Sequence, residues 1–125
     1  MRPNISNPIH ANVQFTVTKA FSNANGFLLP HILFDRIKTV ATYPIKEFYP
    51  CDAPQVSGYK FKMHKNAFLN DQLTIQAQLI NKNPEKLMVC IIVTKRKKAS
   101  KTEQTISSAL FDFPLKKNST QQLAS

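Results

Sequence analysis

The sequence predicts an α+β domain in which one long helix packs across the concave face of a mainly antiparallel five-stranded sheet. Three observations carry that expectation. A single stretch, residues 29–42, has helical periodicity: Leu29, Ile32, Leu33, Ile37, Val40 and Ala41 fall on one stripe at spacings of three and four. Almost every other apolar segment reads as strand, mostly by alternation with period two. The last three strand segments are joined by short turns, so they should pair as an antiparallel meander. One helix among strands buries its apolar stripe against the sheet.

The elements follow in order. Residues 1–9, with Pro3 and Pro8, read as a loose leader. Val13, Phe15 and Val17 then alternate with Asn12, Gln14, Thr16 and Thr18, the pattern of a half-buried strand. A polar loop, Ser22-Asn23-Ala24-Asn25-Gly26, leads into the helix. Pro30 suits the first helical turn, where a missing N–H costs nothing. Pro44 marks the helix end, because the residue before a proline avoids the helical region. Residues 43–55 carry Pro44, Pro50 and Pro54 with apolar residues between them, a connector expected to pack on the core surface. In the second strand, 56–64, Tyr59, Phe61 and Met63 point one way and Lys60, Lys62 and His64 the other. A turn at 66–71 precedes a third strand in which Leu73, Ile75, Ala77 and Leu79 alternate with Thr74, Gln76 and Gln78. After a turn at 81–84, the fourth strand, 87–94, is apolar on both faces and belongs at the sheet centre. A basic turn at 95–102 and a last strand, 103–113, complete a single domain over 10–115. Residues 116–125 read as a disordered tail.

Strand, helix, then four strands, with the helix wrapped by the sheet, is the hotdog arrangement. Such a sheet has an exposed edge, and a second copy of the chain is the expected cover, giving a dimer or a tetramer or hexamer built from dimers.

Composition narrows the function. The chain has 125 residues, enough for one domain with a real core, and 42% of them are hydrophobic, which argues against wholesale disorder. Its two cysteines, Cys51 and Cys90, lie far apart without a CxxC pair, so neither a disulfide framework nor a zinc site is indicated. Cys90 sits in an apolar run and reads as a buried thiol. The N-terminus lacks the apolar core of a signal peptide, and the apolar run 87–93 is too short to span a membrane. A cytoplasmic protein without a cofactor is the expectation. Seventeen Lys and Arg against seven Asp and Glu give a net charge of +10, which favours anionic partners. The charges are dispersed over turns and sheet faces. With no recognition helix, no RNP-type aromatic motif and no basic stripe, a nucleic-acid-binding domain ranks third among the readings. Only two glycines, Gly26 and Gly58, exclude a Gly-rich phosphate loop.

Three stretches resemble the hotdog acyl-CoA thioesterases. Asn23-Ala24-Asn25-Gly26 is similar to the Thr-Asn-Ala-Asn-Gly-Asp loop of bacterial broad-range acyl-CoA hydrolases. Asn70-Asp71-Gln72-Leu73-Thr74-Ile75-Gln76-Ala77 resembles the family's Gly-Asp-x-Leu-x-Ile-x-Ala entry into the third strand. Residues 87–95 and 105–113 look like its long closing hairpin. The resemblance spans about residues 10–115. It implies an acyl-CoA or acyl-carrier-protein thioesterase, or a hotdog module that lost its catalytic acid and only binds an acyl chain or a partner. The departures favour the second branch. Where those hydrolases place a carboxylate after the Asn-Ala-Asn-Gly run, this chain has Phe27. Where relatives carry a glycine pair and then a helix acid about two turns in, this chain has Pro30, His31 and, near the acid's position, Lys38. The dehydratase branch fits less well, since the first loop has no histidine.

Under that resemblance, thioester hydrolysis needs a base and a donor for the thioester oxygen. Backbone N–H groups at the helix start can supply the donor. His31 and Asp35, one turn apart on a shared helix face, are candidate base and orienting acid; the plainer alternative is two solvent-facing residues near Arg36 and Lys38. Asn23 and Asn25 could position water or the thioester carbonyl, or serve as ordinary turn and cap residues. Gly26, Phe27 and Leu28 would contact ligand, with Phe27, Leu28 and Leu29 lining an acyl tunnel or joining the core. Arg96, Lys97 and Lys98 would attract the phosphates of coenzyme A if their turn lies at the groove mouth rather than at the opposite end of the sheet.

Overall fold

The computed structural model describes residues 10–49, 55–82, 84–96 and 103–115. The expected leader (1–9) and tail (116–125) lie outside the described residues, as do Cys51 and Asp52. The strands are β1 (His10–Thr16), β2 (Gly58–Met63), β3 (Gln72–Lys82), β4 (Lys86–Arg96) and β5 (Glu103–Pro114). One helix, α1 (Pro30–Ala41), stands between β1 and β2. The five strands form one sheet in the order β1-β3-β4-β5-β2, and every neighbouring pair is antiparallel. The meander β3-β4-β5 is present, and the doubly apolar β4 lies at the centre.

Register explains the two faces. Val13, Ile75, Val93, Ser107 and Met63 line up across the sheet in one row. Ala11, Ala77, Ile91, Ala109 and Phe61 form the next. These rows face α1, which buries Leu33, Ile37, Val40 and Ala41 over β3 and β4. The opposite face carries Asn12, Gln76, Ile92, Ser108 and Lys62 in one row and His10, Gln78, Cys90, Leu110 and Lys60 in another. Cys90 is therefore a half-buried free thiol on the outer face rather than a core residue, and its burial raises its pKa. An apolar run on both faces of β4 does not say which face the helix takes.

The helix ends as its prolines dictate. Pro30 occupies its first turn, and the chain leaves α1 into a 3₁₀ segment, Tyr43–Phe48, that buries Pro44 and Ile45. The Tyr49 hydroxyl donates to the Pro114 carbonyl and ties this connector to the end of β5. The Lys82 ammonium lies 4.9 Å from the centre of the Phe48 ring. The second strand is shorter than its sequence pattern, although Ser57 N–H still donates to Asp112 O and His64 N–H to Ile106 O beyond its ends. No helix among the described residues is long and apolar enough to cross a membrane.

Candidate functional site

The end of the sheet where α1 begins is built from two loops that hold each other. In the first, the Asn23 side-chain carbonyl accepts the N–H groups of Asn25 (2.9 Å) and Phe27 (3.0 Å). Gly26 N–H donates to Asn23 O, and Asn23 N–H to Phe27 O at 2.8 Å. This closure needs φ +86° at Gly26, a left-handed geometry that a side chain would strain. In the second loop, Asn70 also takes a left-handed conformation, φ 75°. The Asp71 carboxylate accepts the Phe68 N–H at 2.8 Å and pairs with the Lys95 ammonium at 3.1 Å. The loops meet through Leu28 N–H to Ala67 O and Leu69 N–H to Gly26 O, with the Phe27 and Phe68 rings 4.8 Å apart between centres. Phe68 stays 45% exposed at this tip.

The chain enters α1 through Leu29, whose N–H donates to Phe21 O. No side chain caps the helix, and Pro30 has no N–H, so the His31 amide is the first backbone donor of α1. The end of β4 arrives at the same place, because Lys95 stands opposite Leu73 next to the second loop. β4 thus ends at the helix-start end of the sheet, a choice that sequence left open.

The residues singled out by sequence take these positions. His31 and Asp35 are exposed on the helix face away from the Leu33–Ile37–Val40 stripe, and among the described residues neither side chain joins an ion pair. Asn25 is exposed at the loop tip. Asn23 spends its acceptor on its own loop. Gly26 supplies the turn, Phe27 is half-buried, and Leu28 is 5% exposed within the core. Arg96 closes β4 opposite Glu103, with only its backbone described, while Lys97 and Lys98 lie outside the described residues. Among the described residues, no group of three or more His, Cys, Asp or Glu side chains is placed to hold a metal ion.

A concavity away from these residues escaped the sequence reading. Between one flank of α1 and the edge strand β2 lies an open groove of about 470 Å³, walled by Phe34, Lys38, Val56, Tyr59 and Phe111. The signal was the i, i+4 pair Phe34 and Lys38, which lies beside the core stripe rather than on it.

No protein-family model matches the sequence, and no curated protein sequence does either. Solved structures do match. An acyl-CoA hydrolase from Staphylococcus aureus, in complex with butyryl coenzyme A, coenzyme A and coenzyme A disulfide, superposes with TM-score 0.77 at 10% identity, over 85% of this chain and 65% of that one. A hypothetical thioesterase from Streptococcus pneumoniae TIGR4, with coenzyme A, gives TM-score 0.72 at 16% identity over 85% and 77%. A hexameric acyl-CoA thioesterase gives 0.75 at 10% identity over 85% and 68%. The chain has the hotdog fold. At these identities the likeness establishes the architecture of the hotdog domain, which here spans just under two thirds of the length of the Staphylococcus enzyme.

Proposed function

We propose that this hotdog domain is an acyl-thioester hydrolase acting on an acyl-CoA or acyl-carrier thioester, and that it works as a dimer or an assembly of dimers. The observation that carries the reading is the convergence at one end of the sheet. The Asn23–Phe27 turn, the uncapped start of α1 and the cationic end of β4 all meet there. Coenzyme A brings phosphates, and Arg96, Lys97 and Lys98 supply the countercharge. In this reading the His31 amide donates to the thioester oxygen as charge develops on it. The His31 imidazole, oriented by Asp35, takes a proton from the attacking water, with Asn25 positioning that water. The C–S bond then breaks, the sulfur leaves as a thiol carrying a proton, and the acyl group leaves as a carboxylic acid. His31 and Asp35 face outward in the single chain, so a second copy is what encloses them. Two edge strands, β1 and β2, each leave one side unpaired among the described residues for that copy. The hexameric thioesterase with the same fold is consistent with such self-association.

One observation favours a second reading, retention of the thioester without turnover. The loop position after Gly26 holds Phe27, whose ring packs against Phe68 at a 45° tilt, and the nearby Asp71 carboxylate is engaged by the Phe68 N–H and Lys95. Release of free thiol from a panel of short, long and aromatic acyl-CoA thioesters separates the two. Turnover that falls at least tenfold in His31→Ala and Asp35→Ala supports hydrolysis by these groups. Saturable binding of acyl-CoA without turnover selects the binding module. Neither turnover nor binding removes both readings.

A further inference from the structure

The face of the sheet turned away from α1 holds a nucleophile and a base in contact, and the thioester reading uses neither. The His64 Nε2 lies 2.8 Å from the Ser108 Oγ. The strands dictate this contact. Lys62 stands opposite Ser108, and His64 N–H donates to Ile106 O at 2.8 Å just beyond the end of β2, so His64 and Ser108 are diagonal neighbours on one sheet face. With its proton on Nδ1, the imidazole accepts the Ser108 hydroxyl at Nε2, the arrangement by which a serine loses its proton as it attacks. Among the described residues Ser108 has no other hydrogen-bond partner, whereas the neighbouring Ser107 hydroxyl is committed to Lys62 O at 2.9 Å. Ser108 also lines a groove of about 480 Å³, within the usual range of roughly 300–1,000 Å³ for small-molecule sites. Cys90 and Leu110 give this groove an apolar floor, and Lys60 and Lys62 stand along its edge. Both lysines are exposed, and neither joins an ion pair among the described residues. The Cys90 thiol is the competing nucleophile, but burial pushes its pKa up, which keeps it protonated at neutral pH and leaves it as a wall.

We propose that Ser108 and His64 form an esterase dyad acting on esters that join an apolar acyl chain to an anionic leaving group. The acyl chain lies on Cys90 and Leu110, and the anionic end pairs with the Lys60 ammonium. Ser108 Oγ attacks the ester carbonyl carbon while His64 Nε2 takes the hydroxyl proton. The Lys62 ammonium, across from Ser108, offsets the charge that develops on the carbonyl oxygen. The C–O bond to the leaving group then breaks, and the imidazolium gives its proton to the departing oxygen. Water, deprotonated by the same imidazole, attacks the acyl-Ser108 carbonyl; the proton passes to Ser108 Oγ, and the acyl group leaves as a carboxylic acid. Each step needs only water as co-reactant. No carboxylate orients His64 among the described residues, so the dyad is slower than a full triad. The inference goes beyond thioester hydrolysis, since it concerns the opposite face of the sheet and a different bond.

Hydrolysis of 4-octanoyloxybenzenesulfonate by the full chain, with phenyl octanoate as the neutral counterpart, tests it. Phenol release should exceed the spontaneous rate about a hundredfold, the lower end of what a positioned base supplies. The sulfonate should be favoured about tenfold in kcat/KM, the difference that one charge-assisted contact makes. After an acid quench, peptide mass spectrometry should find the octanoyl group on Ser108. Ser108→Ala and His64→Ala should each abolish the excess rate, and Lys60→Gln should remove the preference for the sulfonate. His64 and Lys60 are exposed and Ser108 is half-buried on the sheet surface, so the variants should fold, which their unfolding midpoints check. No excess rate, a rate unaltered by Ser108→Ala or His64→Ala, or an acyl group on Cys90 or a lysine instead of Ser108 overturns the inference. Thiol release from acyl-CoA should be unchanged in Ser108→Ala, so the two activities stand or fall separately. A parallel loss of thiol release would mean one shared site and would overturn the separate dyad.

Discussion

The two flanks of α1 use similar chemistry to opposite ends. Toward β1, the Arg36 guanidinium lies over two rings at once, 5.2 Å from the centre of Phe15 and 5.7 Å from that of Phe21, and those rings stack at 5.4 Å. Toward β2, a comparable set of rings is present, but Lys38 has no ring contact or carboxylate among the described residues, and the space stays open. Both flanks place a cation beside aromatic surface. A planar guanidinium can lie flat on rings and close the seam, whereas a compact, strongly hydrated ammonium stays at the rim. One flank is finished packing; the other keeps a polar-tipped cavity.

The largest test of that contrast removes the floor of the open side. Phe111 is fully buried and packs against Phe34, Tyr59 and Phe113. Phe111→Ala should cost about 4 kcal/mol in denaturant unfolding, the usual scale for deleting a buried ring. A loss below about 1 kcal/mol would mean that the groove extends under the ring and that the wall is not part of the core.

A smaller effect concerns what fixes that wall. The Tyr49 hydroxyl donates to Pro114 O and holds the end of the strand that carries Phe111 and Phe113. Burial raises the Tyr49 pKa above its ordinary value of 10.0. A raised folded-state pKa means that the folded protein prefers the neutral phenol. The stability this group contributes is complete below the unfolded value and is lost as pH climbs from about 10 through the folded value. Tyr49→Phe should cost about 1 kcal/mol at neutral pH and should flatten the alkaline fall in stability. An alkaline limb of the same slope in both proteins would place its origin elsewhere.

Much of this architecture was legible in the sequence, for reasons that particular residues make plain. Leu33, Ile37, Val40 and Ala41 were expected on the buried stripe and are buried, because helical spacing is local information. The meander of β3, β4 and β5 followed from short turns. The places of β1 beside β3 and of β2 beside β5 did not, since those pairings join segments more than forty residues apart with no turn to announce them. The end of the sheet reached by Lys95 and Arg96 depended on the same pairings. Asn23 was readable as a turn residue, and its Asx turn is present. The turn at 66–71 was expected, and the Asp71 carboxylate shapes it through the Phe68 N–H, but the pairing of Asp71 with Lys95 crosses strands and left no local trace. Lys38 was legible only as a position lacking an acid; that it borders a cavity depends on where β2 docks.

The finest distinction between the flanks is carried by the two cations themselves. If Arg36 closes its seam, Arg36→Ala loses a cation–π contact with two rings and the apolar stem that covers them, together about 1 kcal/mol. If Lys38 only rims a cavity, Lys38→Ala should stay within about 0.5 kcal/mol of the parent, as exposed substitutions without a partner do. Both residues are exposed on the same helix, and Ala raises helix propensity in each case by similar small amounts, so the difference between the variants isolates the flank. Paired thermal and denaturant unfolding reads that difference directly. Equal losses would mean that Lys38 packs against its rings as Arg36 does, and the open flank would then be a closed one. A larger loss for Arg36→Ala keeps the asymmetry, with Lys38 at the rim of an open cavity.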